Sequence, residues 1–198
     1  MDRIAKTVFA PVYPAIADQI IDQCGIRSGR CLDAGSGPGS LGIALARASD
    51  LTVTLLDSSP EMLAVARNNI REAGLSGRLS LLAGDVHDIP LPAGSVDLVV
   101  SRGSVFFWED LPRAFSEIYR VLAPGGKTYV GGGFGTAELR DAVLAVMAKE
   151  NPDWKNFRDK NLGPENRKRI AGVLEDLGLP HRLISDDSGF WVVMEKER

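Results

Sequence analysis

Residues 30–57 read RCLDAGSGPGSLGIALARASDLTVTLLD, and their order decides which fold the rest of the chain can take. The stretch predicts a buried strand, a glycine-rich turn, a helix, a second strand, and an acid, Asp57, closing that strand. Gly35, Gly37 and Gly39 let the backbone turn sharply and leave room for a ligand against the main chain. A helix beginning near Ser40 directs unpaired N–H groups into the same space, where an anionic ligand group is held. Asp57 stands where an acid can bind the two hydroxyls of a ribose. The unit is a βαβ element expected to hold a nucleoside-containing ligand. A tight turn without a ligand accounts for the glycines but leaves Asp33 and Asp57 without a role.

Two cofactor types compete for this loop. Residues 37–42, GPGSLG, satisfy GxGxxG, and Asp57 lies at about the distance beyond it that a dinucleotide fingerprint expects. Asp33, two residues before Gly35, argues the other way. A pyrophosphate would face its carboxylate, and like charges close together in a partly dehydrated site repel strongly. A ligand with an ammonium and a sulfonium centre would be attracted instead. The run DAGSGPG at 33–39, followed by a strand ending in Asp57, resembles the first cofactor motif and its successor in class I S-adenosylmethionine (SAM)-dependent methyltransferases.

That resemblance extends over nearly the whole chain, with seven strand candidates, the cofactor motifs in order, and a terminal hairpin that dehydrogenase Rossmann domains lack. It is similar in particular to compact methyltransferases acting on small molecules. It implies one α/β domain over 1–198, a Rossmann-like three-layer sandwich. The expected sheet has seven mostly parallel strands in the order 3-2-1-4-5-7-6, with strand 7 antiparallel. The implied cofactor is SAM, with S-adenosylhomocysteine as product.

Composition agrees with such a domain. At 198 residues one domain is expected, and 44% hydrophobic with 25% charged residues is ordinary for a globular protein. A net charge of −3 argues against a strongly electrostatic nucleic-acid binder. No apolar run reaches the ~18 residues of a membrane span. The first residues, MDRIAKTVFAPVYP, lack a signal peptide's apolar core and cleavage site. Two cysteines, Cys24 and Cys31, make no disulfide framework and read as buried structural residues. The expectation is a reduced, cytoplasmic protein without a metal site, open to forming a homo-oligomer.

Residues 1–25 read as a helical cover interrupted at Pro11 and Pro14, with Ile16, Ile20 and Ile21 on its apolar face and Gly25 as its stop. Phe9, Val12 and Tyr13 are candidates to line the site or to pack in the core. After Asp57, Ser58 or Ser59 can cap a helix opened by Pro60 and Glu61. Met62 falls one turn in, for adenine contact or core packing alike. A third strand at 79–84 is followed by Asp85 and Val86. In the resembled family an acid here accepts the adenine amino group, and the next backbone N–H reads a ring nitrogen. The resemblance therefore assigns Asp33, Gly35, Ser36, Gly37, Pro38, Gly39, Asp57, Ser58, Met62, Asp85, Val86, Ser101 and Arg102 to the cofactor.

A fourth strand, VDLVVS, is apolar enough to be buried on both faces. Residues 101–110, SRGSVFFWED, then border the crevice beyond the strand ends where ligands bind in open α/β sheets. Arg102 can pair with the methionine carboxylate or with an acidic substrate. Phe106, Phe107 and Trp108 can wall a pocket, with at least one phenylalanine as plain packing. Candidate catalytic groups are His87, Arg102, Glu109 and Tyr13. Pro124, Gly125 and Gly126 read as the turn into strand five. The glycines at 131–135 suggest close approach of a ligand or another backbone, with substrate access favoured. Residues 151–165 read as a cap loop, 167–169 as a solvated basic face, and the chain's end as a hairpin turning at Ser188 and Gly189.

The region after strand four has no [DNS]-P-P-[FYW] tetrad for planar nitrogens and no cysteine for cytosine-carbon methylation, so a small-molecule acceptor is favoured. Other readings stay open: a SAM-binding regulatory subunit without activity, an RNA or protein methyltransferase, and an NAD-dependent oxidoreductase.

Overall fold

In the computed structural model, residues 2–151, 153–186 and 189–198 are described. The architecture grows outward from β1 (Ser28–Ala34), whose residues alternate between two apolar clusters. Cys31 joins one, Leu32 and Ala34 the other, so both faces of the strand must be covered. β4 (Val96–Arg102) repeats the pattern, with Leu98 and Val100 on one side and Val99 on the other.

Those two strands are the centre of one seven-stranded sheet. It runs β3 (Leu79–Ala83), β2 (Asp50–Asp57), β1, β4, β5 (Leu122–Gly133), β7 (Gly189–Met194), β6 (His181–Asp186). The first five are mutually parallel, whereas β7 runs antiparallel to both β5 and β6. The expected order and the reversed last strand are both present. The chain winds from β1 through β2 to β3 and then returns to β4 on the other side. The strand order therefore reverses between β1 and β4, which is where an open α/β sheet leaves a crevice.

Helices cover both faces. The cluster on one side draws on α2 (Val12–Cys24), α3 (Ser40–Ala48) and α4 (Pro60–Glu72), with Ile16, Ile20, Leu45 and Ile70 against Leu55. The opposite cluster joins α5 (Leu111–Val121) to Ile170 and Leu174 of α8 (Pro164–Asp176) around Phe115 and Ile118. Three helices are opened by a side-chain cap. Ser59 accepts a hydrogen bond from Met62 N–H, Asp110 from Arg113 N–H, and Thr136 from Leu139 N–H at the start of α6 (Ala137–Glu150).

Four segments differ from the sequence expectation. The N-terminal cover breaks once, at Pro11, between α1 (Asp2–Thr7) and α2. Pro14 lies in the first turn of α2, where a missing N–H is no loss. Residues 151–165, expected as a loop, fold largely into α7 (Trp154–Leu162). Pro124, Gly125 and Gly126 lie within β5, where the β4 register shifts between Val96 and Leu98. At least one glycine of the 131–135 run is required by strand pairing and not by a ligand. A Cβ on Gly131 would overlap the carbonyl of Phe190 on β7, so this glycine permits strand pairing. Of the terminal hairpin's turn, Ser188 lies outside the described residues.

Candidate cofactor and acceptor site

At the carboxyl end of β1, Asp33 is almost wholly buried and accepts a hydrogen bond from Gly42 N–H of α3 at 3.0 Å. Burial pushes its carboxyl up to about 7; the Gly42 N–H opposes this, and the charge of Asp57 adds to it. A positively charged ligand beside Asp33 would reverse that shift. The loop that follows is pinned to β2, since Gly35 and Ser36 N–H both donate to the Leu56 carbonyl, at 2.9 and 3.0 Å. Gly35 has φ +69°, and a Cβ there would fall 2.5 Å from Ser104 Oγ. No other residue type fits that position. Ser36 Oγ is buried and has no partner among the described residues.

Asp57 closes β2 with both oxygens anchored. Gly37 N–H donates to Oδ2 at 2.7 Å and Ser59 N–H to Oδ1 at 2.9 Å. Each carboxylate oxygen keeps a further lone pair for a ligand hydroxyl. Beyond β3, Asp85 accepts from both the backbone N–H and the Nδ1 of His87. These contacts, the backbone one foremost, hold its carboxyl below the usual carboxylate range. His87 Nε2 accepts from Asp110 N–H at 3.3 Å, so the neutral ring carries its proton on Nδ1.

Two adjoining cavities follow this edge. One, of about 240 Å³, is lined by Asp57, Ser58, Asp85, Val86, His87 and Trp108. Its neighbour, of about 400 Å³, is lined by Asp33, Gly35 to Pro38, Met62 and Arg102, and by a mainly apolar outer wall. Gly35, Asp57, Ser104 and Phe107 border both. The sequence-predicted residues therefore divide by location. Asp57, Ser58, Asp85 and Val86 gather at one end and Asp33, Gly35 to Pro38 and Arg102 at the other, whereas Gly39 lines neither cavity and faces the Leu55 side chain.

Several expectations need correction. Glu109 is exposed and lines neither cavity, because Trp108 turns inward on Phe115 and carries the next residue out to solvent. Ser101 is wholly buried behind the wall. Ser104 Oγ gives its proton to the Ala34 carbonyl at 3.0 Å, so the 2.6 Å contact makes Ser101 the donor to Ser104. Val12 is core. His87 borders the smaller cavity and not the larger one, with both ring nitrogens engaged. Phe106 and Phe107 both line the larger cavity, and Phe107 is 60% exposed.

Residues that sequence reasoning did not single out include Ile4, Ser104, Phe134, Trp154 and Asn161, although the segments 101–110 and 131–135 were expected at this edge. Ser104 carried a local signal, since it follows β4 as Ser36 follows β1. Trp154 and Asn161 lay in the presumed loop, and only the formation of α7 brings them over the strand ends.

Residues 32–130, half of the chain, match the family model described as Methyltransferase domain. The chain belongs to the class I SAM-dependent methyltransferase family. A solved structure from Methanococcus maripaludis, provisionally described as an S-adenosyl-L-methionine-dependent methyltransferase, shares 52% identity. It superposes with a TM-score of 0.98, over 100% of this chain and 91% of that one. The ubiquinone/menaquinone biosynthesis C-methyltransferase of Psychromonas ingrahamii is 34% identical over 158 residues, covering 78% of this chain and 59% of that protein. A chloroplastic 2-methyl-6-phytyl-1,4-hydroquinone methyltransferase of Oryza sativa subsp. japonica is 43% identical over 99 residues, 49% of this chain. This family member spans 27–43% of the length of the first chloroplastic relatives it matches.

SAM is the cofactor of the family, and the site of this methyltransferase-family chain fits it. Three carboxylates, Asp33, Asp57 and Asp85, line the two cavities and can accept from the amine and hydroxyl groups such a molecule carries. Ser36 Oγ is a buried hydroxyl without a described partner at the same loop.

Proposed function

We propose that the protein transfers a methyl group from SAM to a small-molecule acceptor. The observation that carries this reading is the sequence of acids along one sheet edge, Asp85, Asp57 and Asp33, leading into a cavity with aromatic walls. When bound, SAM supplies a methyl group on a cationic sulfur with a neutral leaving group.

The chain's own part is to bind, orient and keep water out. Ionised Asp33 attracts the ammonium end, Asp57 accepts ribose hydroxyls, and Asp85 with the Val86 N–H reads the adenine. Ile4, Phe9, Tyr13 and Phe106 wall off the acceptor space. Alignment of this kind can be worth ~7–11 kcal/mol of barrier. His87 acts as a positioning residue for Asp85, and Arg102 and Tyr13 are the polar groups left beside the acceptor.

The apolar walls, and the quinone and hydroquinone names of the relatives, support a small apolar acceptor. A cytoplasmic setting is part of the proposal. It is supported by two buried free thiols, with Cys24 pushed by burial up to about 11, and by the absence among the described residues of a helix long and apolar enough to cross a membrane.

Parallel calorimetric titration with SAM, S-adenosylhomocysteine and NAD tests the reading. Micromolar binding of the first two and none of NAD is expected; binding of NAD alone would overturn it.

A further inference from the structure

Arg102 occupies an unusual environment. Its Nε and Nη2 both donate to the Gly133 carbonyl, at 3.2 and 3.1 Å. Its guanidinium carbon lies 4.5 Å from the ring centroid of Phe9, 5.4 Å from that of Tyr13 and 6.0 Å from that of Phe134. No carboxylate among the described residues pairs with it. An enclosed cation without a counter-charge is costly, and contact with aromatic faces offsets only part of that cost. The bonds to Gly133 use one edge of the fork, and the Tyr13 hydroxyl takes a further N–H. Two of the five guanidinium donors remain, enough to match a carboxylate.

The cofactor's own carboxylate has another place to go. Ser36 Oγ has no described partner, and Ser40 and Leu41 at the N-terminus of α3 line the same cavity. Along the sheet edge the order is Asp85 after β3, Asp57 on β2, Asp33 on β1, then Arg102 on β4 and Gly133 on β5. Arg102 is thus on the side away from the adenine end. Beyond it the wall is aromatic, with Phe9, Phe134 and Trp154 packed in a triangle whose ring centroids are 6.3 Å apart on each side. A polar cofactor end leaves such a wall unfilled.

We propose that the acceptor is an apolar, ring-bearing carboxylic acid, its carboxylate gripped end-on by Arg102 and its body laid against Phe9, Phe134 and Trp154. The carboxylate is a handle that sets the acceptor's orientation. This inference rests on the methyl-transfer reading of the same site.

The test uses protein saturated with S-adenosylhomocysteine, titrated calorimetrically with 2-naphthoate, indole-3-acetate and 4-phenylbutyrate, each beside its amide. At least one acid should bind tenfold or more tighter than its amide. Arg102→Gln should remove that preference, Arg102→Lys should retain part of it, and neither should change S-adenosylhomocysteine affinity beyond twofold, which also reports that the variants fold. Trp154→Ala should weaken acid and amide alike. Equal binding of acids and amides, no binding of either, or an acid preference surviving in Arg102→Gln would overturn the proposal. So would a tenfold loss of S-adenosylhomocysteine affinity in a folded Arg102→Gln, which would assign the arginine to the cofactor carboxylate. Failure of the wild-type protein to bind S-adenosylhomocysteine at all would instead overturn the methyl-transfer reading, and this is measured first.

Discussion

The two halves of the crevice are built by opposite means. The half over β1, β2 and β3 is polar, and its acids are held by backbone N–H groups close by in sequence. Asp85 and its His87 partner are two residues apart, Asp57 and Ser59 two, Asp33 and Gly42 nine, Asp57 and Gly37 twenty. The half over β4 and β5 is mainly apolar and carries the Arg102 cation, and its parts come from across the chain. Arg102 and Gly133 are 31 residues apart, and Phe9 stacks on Phe134 and meets Trp154 from the other end of the sequence. Rigid, locally built acids suit a ligand that never changes. A wall assembled from separate helices can be reshaped without disturbing the cofactor loop.

If this division is real, variants should affect one half at a time. The largest effect is expected at Asp57. Replacement by alanine removes charge-assisted hydrogen bonds worth about 1.5–3 kcal/mol each, so SAM affinity should fall about 100-fold with the far-ultraviolet spectrum unchanged. Unaltered affinity in titration calorimetry would break the assignment of the ribose.

Asp33 should give the next effect, through pH. Its carboxyl lies at about 7 in the ligand-free protein, raised by burial, and a cationic ligand requires it ionised. Below pH 7 a proton must leave on binding, so the dissociation constant for SAM should rise about fivefold from pH 7 to 6 and change little from 7.5 to 8.5. Asp33→Asn should bind weakly throughout and flatten that profile. A profile equally steep in Asp33→Asn would place the titrating group elsewhere.

A smaller loss is expected from His87→Ala. The ring contact to Asp85 and the bond from Asp110 disappear, whereas the backbone N–H bond to Asp85 stays. SAM affinity should weaken about three- to tenfold, the size of one ordinary hydrogen bond, without loss of methyl transfer once SAM is saturating. Loss of turnover at saturating SAM would make His87 a catalytic base instead.

The smallest effect sharpens the comparison from the other side. Trp154→Ala removes a ring from the acceptor wall only, so S-adenosylhomocysteine affinity should stay within twofold. A larger change would show that the two halves are coupled through α7.

Much of this protein was legible in residues 30–88. Asp33, the glycine loop, the helix start at Ser40, Asp57 and the Asp85–Val86 pair all stand where strand periodicity and turn chemistry place them. Each depends on the backbone path of a few neighbouring residues. The sheet order and the reversed last strand were both supplied by the family resemblance. The errors lie where a side chain's direction depends on distant packing. Ser101 and Ser104 are three residues apart and equally polar, yet burial of β4 places one behind the wall and the other at the cavity edge. Glu109 was misplaced because Trp108 finds its partner in Phe115 on α5.

By itself, then, the sequence determined most of the strands and helices, the glycine loop and the placement of its acids, because periodicity, glycine geometry and helix capping act over a few residues. The strand order was legible only through the family resemblance. Only the tertiary structure decided that α7 closes the cavity, that Gly131 serves the β7 pairing, and that Arg102 meets three aromatic rings and no described carboxylate. Those outcomes depend on which apolar surfaces meet when the sheet is covered, and burial links residues without regard to their separation along the chain.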